Sequence, residues 1–195
     1  MRLKGLIALG LTLALVGCGS LGRLETRAGG PPASIRDYDR VIVADFAAND
    51  TRPAKDDAER AERAARMEIG RKAFSASLVE EIRATGAFSE VAQAKMPAPA
   101  LQVTGSVDLW EPGNVAARSL TGFIGKSEFS ATVVVSDLET GKELARQVVD
   151  RNSWPLPIGA STNIVQSVEY FMHQAARRVA AELAKAKTAA PPEAQ

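Results

Sequence analysis

The spacing of apolar positions changes several times along the chain, and each change marks a predicted element. Residues 40–46 (Arg-Val-Ile-Val-Ala-Asp-Phe) form a compact β-branched run, which is typical of a buried strand. After Asp56, a long segment without proline carries apolar residues at helical spacing and stops at Thr85-Gly86. This segment predicts one long helix, whose acidic first turn suits the positive end of the helix dipole.

The second half of the chain predicts further strands and a closing helix. A strand starts at residues 87–91, another covers 101–110, and runs at 129–138 and 144–154 flank a polar, glycine-containing turn at 139–142 that is typical of a hairpin. Residues 161–184 carry one apolar stripe with helical period. Its members are Ile164, Val168, Phe171, Ala175, Val179 and Leu183.

These elements predict an α+β fold in the order β-α-β-β-β-β-α. Two helices that each have one apolar stripe bury it most simply on one face of a mostly antiparallel sheet of about four to five strands. We expect a single domain at residues 38–184, after a flexible Gly-, Pro- and Ser-rich tether at 18–37 and before a disordered tail at 185–195.

The N-terminus has the pattern of an export signal. Arg2 and Lys4 precede an uncharged, apolar stretch at residues 5–16, which is shorter than the roughly 20 residues that a membrane-spanning helix needs. Leu15-Val16-Gly17-Cys18 resembles the lipobox of bacterial lipoproteins, which implies removal of residues 1–17 and lipidation of Cys18. A plain signal peptide with a coincidental cysteine is the alternative.

The residue after the cysteine bears on the destination of the protein. It is Gly19 and not Asp, which resembles the pattern of lipoproteins sent to the outer membrane and facing the periplasm. Several acyl chains anchor a protein stably, whereas one does not. We therefore expect a lipid-anchored protein of the outer membrane, with the inner membrane as the alternative.

Composition narrows the function classes. The 195 residues include 24 Lys and Arg against 23 Asp and Glu, and this near-neutral balance provides no basic face for nucleic acid. One cysteine excludes an internal disulfide framework and a thiolate zinc site, and one histidine excludes a multi-histidine metal centre. We expect no metal, no cofactor and no nucleic-acid partner.

Candidates for catalysis are few. His173 has no recognisable acid or nucleophile beside it in the sequence, and we expect it to face solvent. Asp45 follows a strand and suits a turn or a helix cap. Asp108 and Glu111 flank Trp110, but strand alternation places them on opposite faces. A hydrolase built on Asp45, Asp108 or His173 is therefore the least favoured hypothesis.

The most unusual segment is a long, glycine-containing loop between two predicted strands, at residues 111–127. Long ordered loops are commonly functional, and this one lacks the GxxxxGK[ST] spacing of a nucleotide site. Phe123 beside basic residues suits contact with a protein or a membrane surface; alternatively, the loop folds back and places Phe123 in the core. The predicted interaction site consists of Gly113, Asn114, Arg118, Gly122, Phe123, Gly125 and Lys126.

The same loop carries a family resemblance. Gly113-Asn114, Arg118, Gly122-Phe123-x-Gly125, Asp137 and Thr140-Gly141 resemble the central pattern of a bacterial lipoprotein family, domain of unknown function 4410. Val41-x-Val43-x-Asp45-Phe46 is similar to its earlier part, and the resemblance covers most of residues 38–183. It implies a lipid-anchored envelope protein, and it supplies neither an activity nor catalytic residues.

Together these observations predict a non-enzymatic accessory or assembly factor that binds another envelope protein or itself. The alternative is a carrier that holds a small or lipidic ligand in a pocket between the sheet and the helices.

Overall fold

The computed structural model describes residues 24–26, 34–93, 95–113, 127–152 and 167–189. These ranges contain seven strands, two α-helices and a 3₁₀ helix at Ile35–Asp37. The strands are β1 (Glu25–Thr26), β2 (Arg40–Val43), β3 (Ala47–Ala48), β4 (Glu90–Ala92), β5 (Leu101–Glu111), β6 (Glu128–Asp137) and β7 (Glu143–Asn152). The helices are α1 (Asp57–Ala84) and α2 (Val168–Thr188).

The strands form one mixed sheet in the order β1-β7-β6-β5-β2-β4, with β3 also paired to β5. β1, β7, β6 and β5 pair antiparallel, whereas β2 runs parallel to β4 and β5, and β3 runs parallel to β5. The α+β class is confirmed, and most of the strand pairing is antiparallel, as predicted. The sheet nevertheless contains parallel pairs and has more strands than the four to five expected. The parallel pairs arise because the long α1 connection lets the chain return to the sheet in the direction of β2.

The sheet buries one face and leaves the other partly open. Alternate side chains of β5, β6 and β7 are buried, and both helices pack on this side, with α1 against β5 and α2 against β6 and β7. The intervening side chains, among them Thr104, Thr132 and Val148, are half-buried or exposed. We call this second side the open sheet face.

Capping residues explain where the helices begin. The Asp56 side chain accepts a hydrogen bond of 2.8 Å from the Glu59 backbone N–H at the start of α1. Ser167 caps α2 in the same way, accepting from the Tyr170 backbone N–H at 3.3 Å. The predicted stripe of α2 is buried at each position from Val168 to Leu183.

Two predicted boundaries need correction. Residues 18–37 are not a tether throughout, because Glu25–Thr26 pairs with β7 and Ile35 is buried in the core. α2 continues past residue 184 to Thr188, where the Lys187 ammonium donates to the Asp39 carboxylate at 2.6 Å. Residues 161–166, predicted as the first part of this helix, lie outside the described residues. Neither described helix has the length and apolar character that crossing a bilayer requires.

Candidate functional site at the base of the central loop

The predicted interaction loop is described only at its base. Gly113 ends the described part of the outgoing chain and adopts a positive φ of 69°. Residues 114–126 lie outside the described residues, and with them lie Asn114, Arg118, Gly122, Phe123, Gly125 and Lys126. The predicted lipidation site, Cys18, also lies outside them, so these assignments stay predictions.

Hydrogen bonds hold the two ends of the loop together. Glu111 and Glu128 are register partners at the last rung of β5 and β6. The Ser127 hydroxyl, which is fully buried, donates to the Pro112 carbonyl at 2.6 Å. The Gly113 N–H donates to the Glu111 carboxylate at 3.3 Å. Gly113 and Ser127, the described residues on either side of 114–126, are therefore held close together.

Packed aromatic rings support this point from the inner face. Trp110 meets Phe129 edge-on at 6.0 Å between ring centroids, and Phe129 meets Phe74 at 5.0 Å. Phe74 in turn meets Phe46 edge-on at 5.1 Å. In α1, Gly70 allows the Trp110 ring to approach so closely that a Cβ there would lie 2.5 Å from it. Edge-to-face contacts of this kind make the loop base a well-packed part of the core.

A charge network joins the loop base to α1 and to the segment before it. The Arg52 guanidinium donates to the Asp50 carboxylate at 2.8 Å and lies 3.7 Å from Glu111. Arg66 lies 3.9 Å from Glu111, and Arg63 lies 3.6 Å from Asp50. The hydrogen bond from Arg52 lowers the pKa of Asp50, and the same bond raises the pKa of Arg52.

Arg63 is the most buried member of this network, with 9% of its surface exposed. It donates to the Arg52 carbonyl at 2.8 Å, while its Nε is buried without a hydrogen-bond acceptor. A guanidinium in such a position depends on its carboxylate partner, because an uncompensated buried charge is costly. The network therefore serves to fix the loop base, and we assign it no chemistry of its own.

The candidate catalytic residues are not brought together. Asp108 lies on the open sheet face, where its carboxylate accepts hydrogen bonds from Asn49, Ser106 and Thr132 at 3.0, 2.6 and 2.9 Å. Glu111 turns instead to Arg52 and Arg66, so no Asp108–Glu111 pair forms. Asp45 is exposed between β2 and β3.

His173 lies on the helical side of the sheet, opposite to Asp108. It is exposed, as predicted, and its Nδ1 lies 2.9 Å from the hydroxyl of Ser77, which is buried on α1. One turn further on, Arg177 reaches Glu81 at 3.4 Å. Both contacts link α2 to α1, and a buried serine hydroxyl is not accessible as a nucleophile. Among the described residues, no group of three or more His, Cys, Asp or Glu is placed to hold a metal ion.

One buried polar pair was not predicted. The Tyr38 hydroxyl donates to the Asp137 carboxylate at 2.5 Å, although the two residues lie 99 positions apart in the sequence. Hydrogen bonds from Thr140, and then from Tyr38, lower the pKa of Asp137 to about 2. Burial, followed by the hydrogen bond to Asp137, raises the pKa of Tyr38 to about 12. The pair ties the N-terminal segment to the β6–β7 turn.

Comparison with known proteins agrees with the predicted family. The sequence pattern of DUF4410, a domain of unknown function, matches residues 41–156. The chain belongs to the DUF4410 family. Comparison with curated proteins finds no match.

Solved structures show that the DUF4410 chain shares a fold with PelC. A PelC dodecamer from Paraburkholderia phytofirmans is 17% identical, with a TM-score of 0.51, over 84% of this chain and 97% of that one. A second crystal form of the PelC dodecamer is 16% identical, with the same TM-score and coverage. A DUF330 protein from Xanthomonas campestris is 16% identical over 82% of this chain and 90% of its own, but its TM-score of 0.40 supports no conclusion.

Proposed function

We propose that this protein is a non-enzymatic lipoprotein of the outer membrane that faces the periplasm and assembles with copies of itself through the open sheet face. The lipid anchor rests on the lipobox resemblance at Cys18, and the outer-membrane address rests on Gly19. The observation that carries the assembly is the open sheet face itself, which no described element covers.

The composition of this face suits a protein contact. Val148 is 48% exposed, and its register partner on β6 is Thr132. Leu109 and Val134 on neighbouring strands are half-buried. Partly exposed apolar side chains on adjacent strands, interspersed with Asp108 and Asp150, resemble an interface more than an ordinary solvated sheet surface.

A second copy is the occupant that the comparisons favour. PelC, which shares this fold, forms a dodecamer in two crystal forms. A contact between two different surfaces of identical chains can repeat and close into a ring. The open sheet face would supply one of the two surfaces, and the loop with Arg118, Phe123 and Lys126 remains the predicted place for further contacts.

The test is in-cell crosslinking of the tagged, lipidated protein, with Cys18→Ala as the mislocalised control. We expect crosslinked ladders of this chain alone, reduced in Val148→Arg, because a long cation replaces an apolar contact residue. Ile69→Arg is the matched control, since Ile69 is also apolar and exposed but lies on α1, away from the sheet face.

Three results would contradict the proposal. Crosslinks only to a different envelope protein would replace self-assembly with a heterologous complex. Equal crosslinked ladders in Val148→Arg and in the wild type would exclude the open sheet face as the interface between copies. No crosslinks at all in the lipidated protein would shift attention to the ligand-carrier alternative and to extraction of bound lipid.

A further inference from the structure

The outer edge of β7 is covered over only part of its length. β1 pairs with Ala145 and Arg146, near the start of β7. In the part of the chain that the structure describes, no strand lies beside residues 148–152 on that side. A sheet edge left open in this way presents backbone N–H and C=O groups to an extended segment that can reach it.

The direction of β1 leads along this open edge. β1 and β7 are antiparallel, and Glu25 lies opposite Arg146, so each step towards the N-terminus moves one residue further along β7. Leu24 is the next residue, and the register places it opposite Gln147, which is buried on the inner face. Its side chain packs against the core, whereas Glu25 is exposed. The alternation of β1 therefore continues at Leu24.

The preceding residues suit the open edge in length and in kind. In the same register, residues 19–23 would lie opposite residues 148–152, five against five. None of the five is proline, so each has a backbone N–H to donate. Alternation would place Leu21 on the open sheet face, diagonal to Val148, where it would add to the apolar surface that the proposed assembly uses.

We infer that residues 19–23 pair with residues 148–152 and complete the outer strand of the sheet. The occupant of the open edge is thus the N-terminal segment of the same chain, in continuity with the β1–β7 pairing. A strand from another molecule would have to compete with a segment that is already held beside the edge at Glu25. The attachment gives the chain's own segment a high effective concentration at this edge.

This pairing orients the domain at the membrane, a consequence that rests on the proposed lipid anchor. Asn152 is the register partner of Glu128, and Glu128 is that of Glu111, so the paired segment ends level with the loop base. Cys18 is the next residue, which places the anchor where the β7 edge meets this end of the sheet. The loop base then faces the lipid surface. The β6–β7 turn at residues 138–142, about 30 Å further along β6, faces away from it.

Paired cysteines test the strand in the full, lipidated chain. Leu21→Cys is combined with Asp150→Cys, which the register places directly opposite, and the protein is oxidised in detergent. The control combines Leu21→Cys with Arg146→Cys, on the same face of β7 but four residues, or about 13 Å, away. Because a disulfide needs Cα atoms within about 7 Å, we expect at least about tenfold more disulfide in the first pair. Peptide mapping of mixed ¹⁴N and ¹⁵N protein separates links within one chain from links between copies.

Two results would overturn the pairing. Comparable disulfide yields in the two pairs would show that the segment has no fixed register on β7. A link formed only between copies would assign the open edge to a neighbouring molecule. The same pairs are measured in Cys18→Ala, where we expect the link within one chain as well, because the register does not depend on the lipid. This result would support the pairing without regard to the anchor.

Energy transfer to labelled lipid tests the orientation. A donor dye is attached at Glu128→Cys, at the loop base, or at Glu139→Cys, in the exposed turn at the opposite end of β6. The lipidated protein is inserted into phosphatidylethanolamine and phosphatidylglycerol vesicles that carry an acceptor dye on the headgroups. We expect the stronger transfer from position 128.

The two measurements separate the inference from the proposed function. Equal or stronger transfer from position 139 would overturn the orientation even where the disulfide supports the pairing. No transfer from either position would overturn the orientation together with the proposed lipid anchor. The disulfide yields decide the pairing by themselves in both cases.

Discussion

The Tyr38–Asp137 hydrogen bond should make a measurable and pH-dependent contribution to stability. Tyr38→Phe removes only the hydroxyl, which donates to the Asp137 carboxylate at 2.5 Å. The ring keeps its place in the core, since Tyr38 is 5% exposed. The carboxylate also keeps two donors, the backbone N–H of Thr140 at 2.6 Å and its hydroxyl at 2.7 Å.

The expected loss follows from two independent estimates. A hydrogen bond to a charged group contributes about 1.5–3 kcal/mol. The drop in the Asp137 pKa from 3.8 to about 2 corresponds to about 2 kcal/mol in total, and Thr140 supplies the larger part of it. Because the carboxylate is not left without partners and Tyr38 supplies the smaller part of the pKa drop, we expect Tyr38→Phe to lower the free energy of unfolding by about 1 kcal/mol at pH 7.

The sign of the pH dependence is defined for both groups. The pKa of Asp137 is lowered in the folded state. Its contribution to the free energy of unfolding is therefore complete above pH 3.8 and disappears as the pH falls through about 2. The pKa of Tyr38 is raised in the folded state. Its contribution to the free energy of unfolding is therefore complete below pH 10 and disappears as the pH rises through about 12. Tyr38→Phe should weaken the loss of stability at acidic pH and abolish the part of the loss at alkaline pH that Tyr38 causes.

Denaturant unfolding at several pH values between 2 and 7 measures the acid side. Tyr170→Phe is the control, because Tyr170 is the only other tyrosine and is exposed. In that variant the alkaline rise in tyrosinate absorbance comes from Tyr38 alone and should have its midpoint near 12. An unchanged slope between pH 2 and 4 in Tyr38→Phe, or a Tyr38 midpoint near 10, would refute the reasoning.

Two further substitutions test the sheet and the loop base. Gly105→Ala should cost at least about 3 kcal/mol, seen as lost thermal stability or soluble yield, because φ is 147° and a Cβ would lie 1.9 Å from the Thr132 carbonyl oxygen. Gly86→Ala, with φ of 66° but open space around it, should cost only about 1 kcal/mol, and equal effects would contradict this account. Asp50→Ala should cost about 3 kcal/mol in denaturant unfolding because Arg63 then lacks its carboxylate. Asp57→Ala, in an exposed pair with Arg60, should change stability by less than about 1 kcal/mol, and a larger loss there than in Asp50→Ala would show that burial does not govern these pairs.

The sequence predicts those elements whose own residues carry a long periodic signal. α1 and α2 repeat their apolar positions over several turns, and the β6–β7 hairpin is marked by a turn containing Gly141. β1 and β3 were missed because two residues are too few to show alternation. The parallel partners of β2 were missed for a different reason. Strand pairing depends on the path of the connecting helix, which no local pattern of β2 contains.

In the candidate site, too, the local features could be predicted from the sequence and the long-range contacts could not. Gly113 and the long loop stand out by composition, since glycine and loop length are local properties. The Tyr38–Asp137 pair is formed by residues far apart in sequence, and each residue alone is an ordinary tyrosine or aspartate. Such pairs become visible only when the sheet register and the position of α2 are known.

The correction to the tether constrains how the proposed assembly can meet the membrane. Because β1 is held in the sheet from Glu25, a lipid anchor at Cys18, as proposed above, lies at most about 25 Å from the β7 edge. Every copy must therefore turn this edge toward the same membrane. Copies related by a rotation axis perpendicular to the membrane satisfy that requirement, whereas a two-fold axis lying in the membrane plane would direct half of the anchors away from it. A ring formed through the open sheet face would thus keep the β1–β7 edge next to the membrane surface in every subunit.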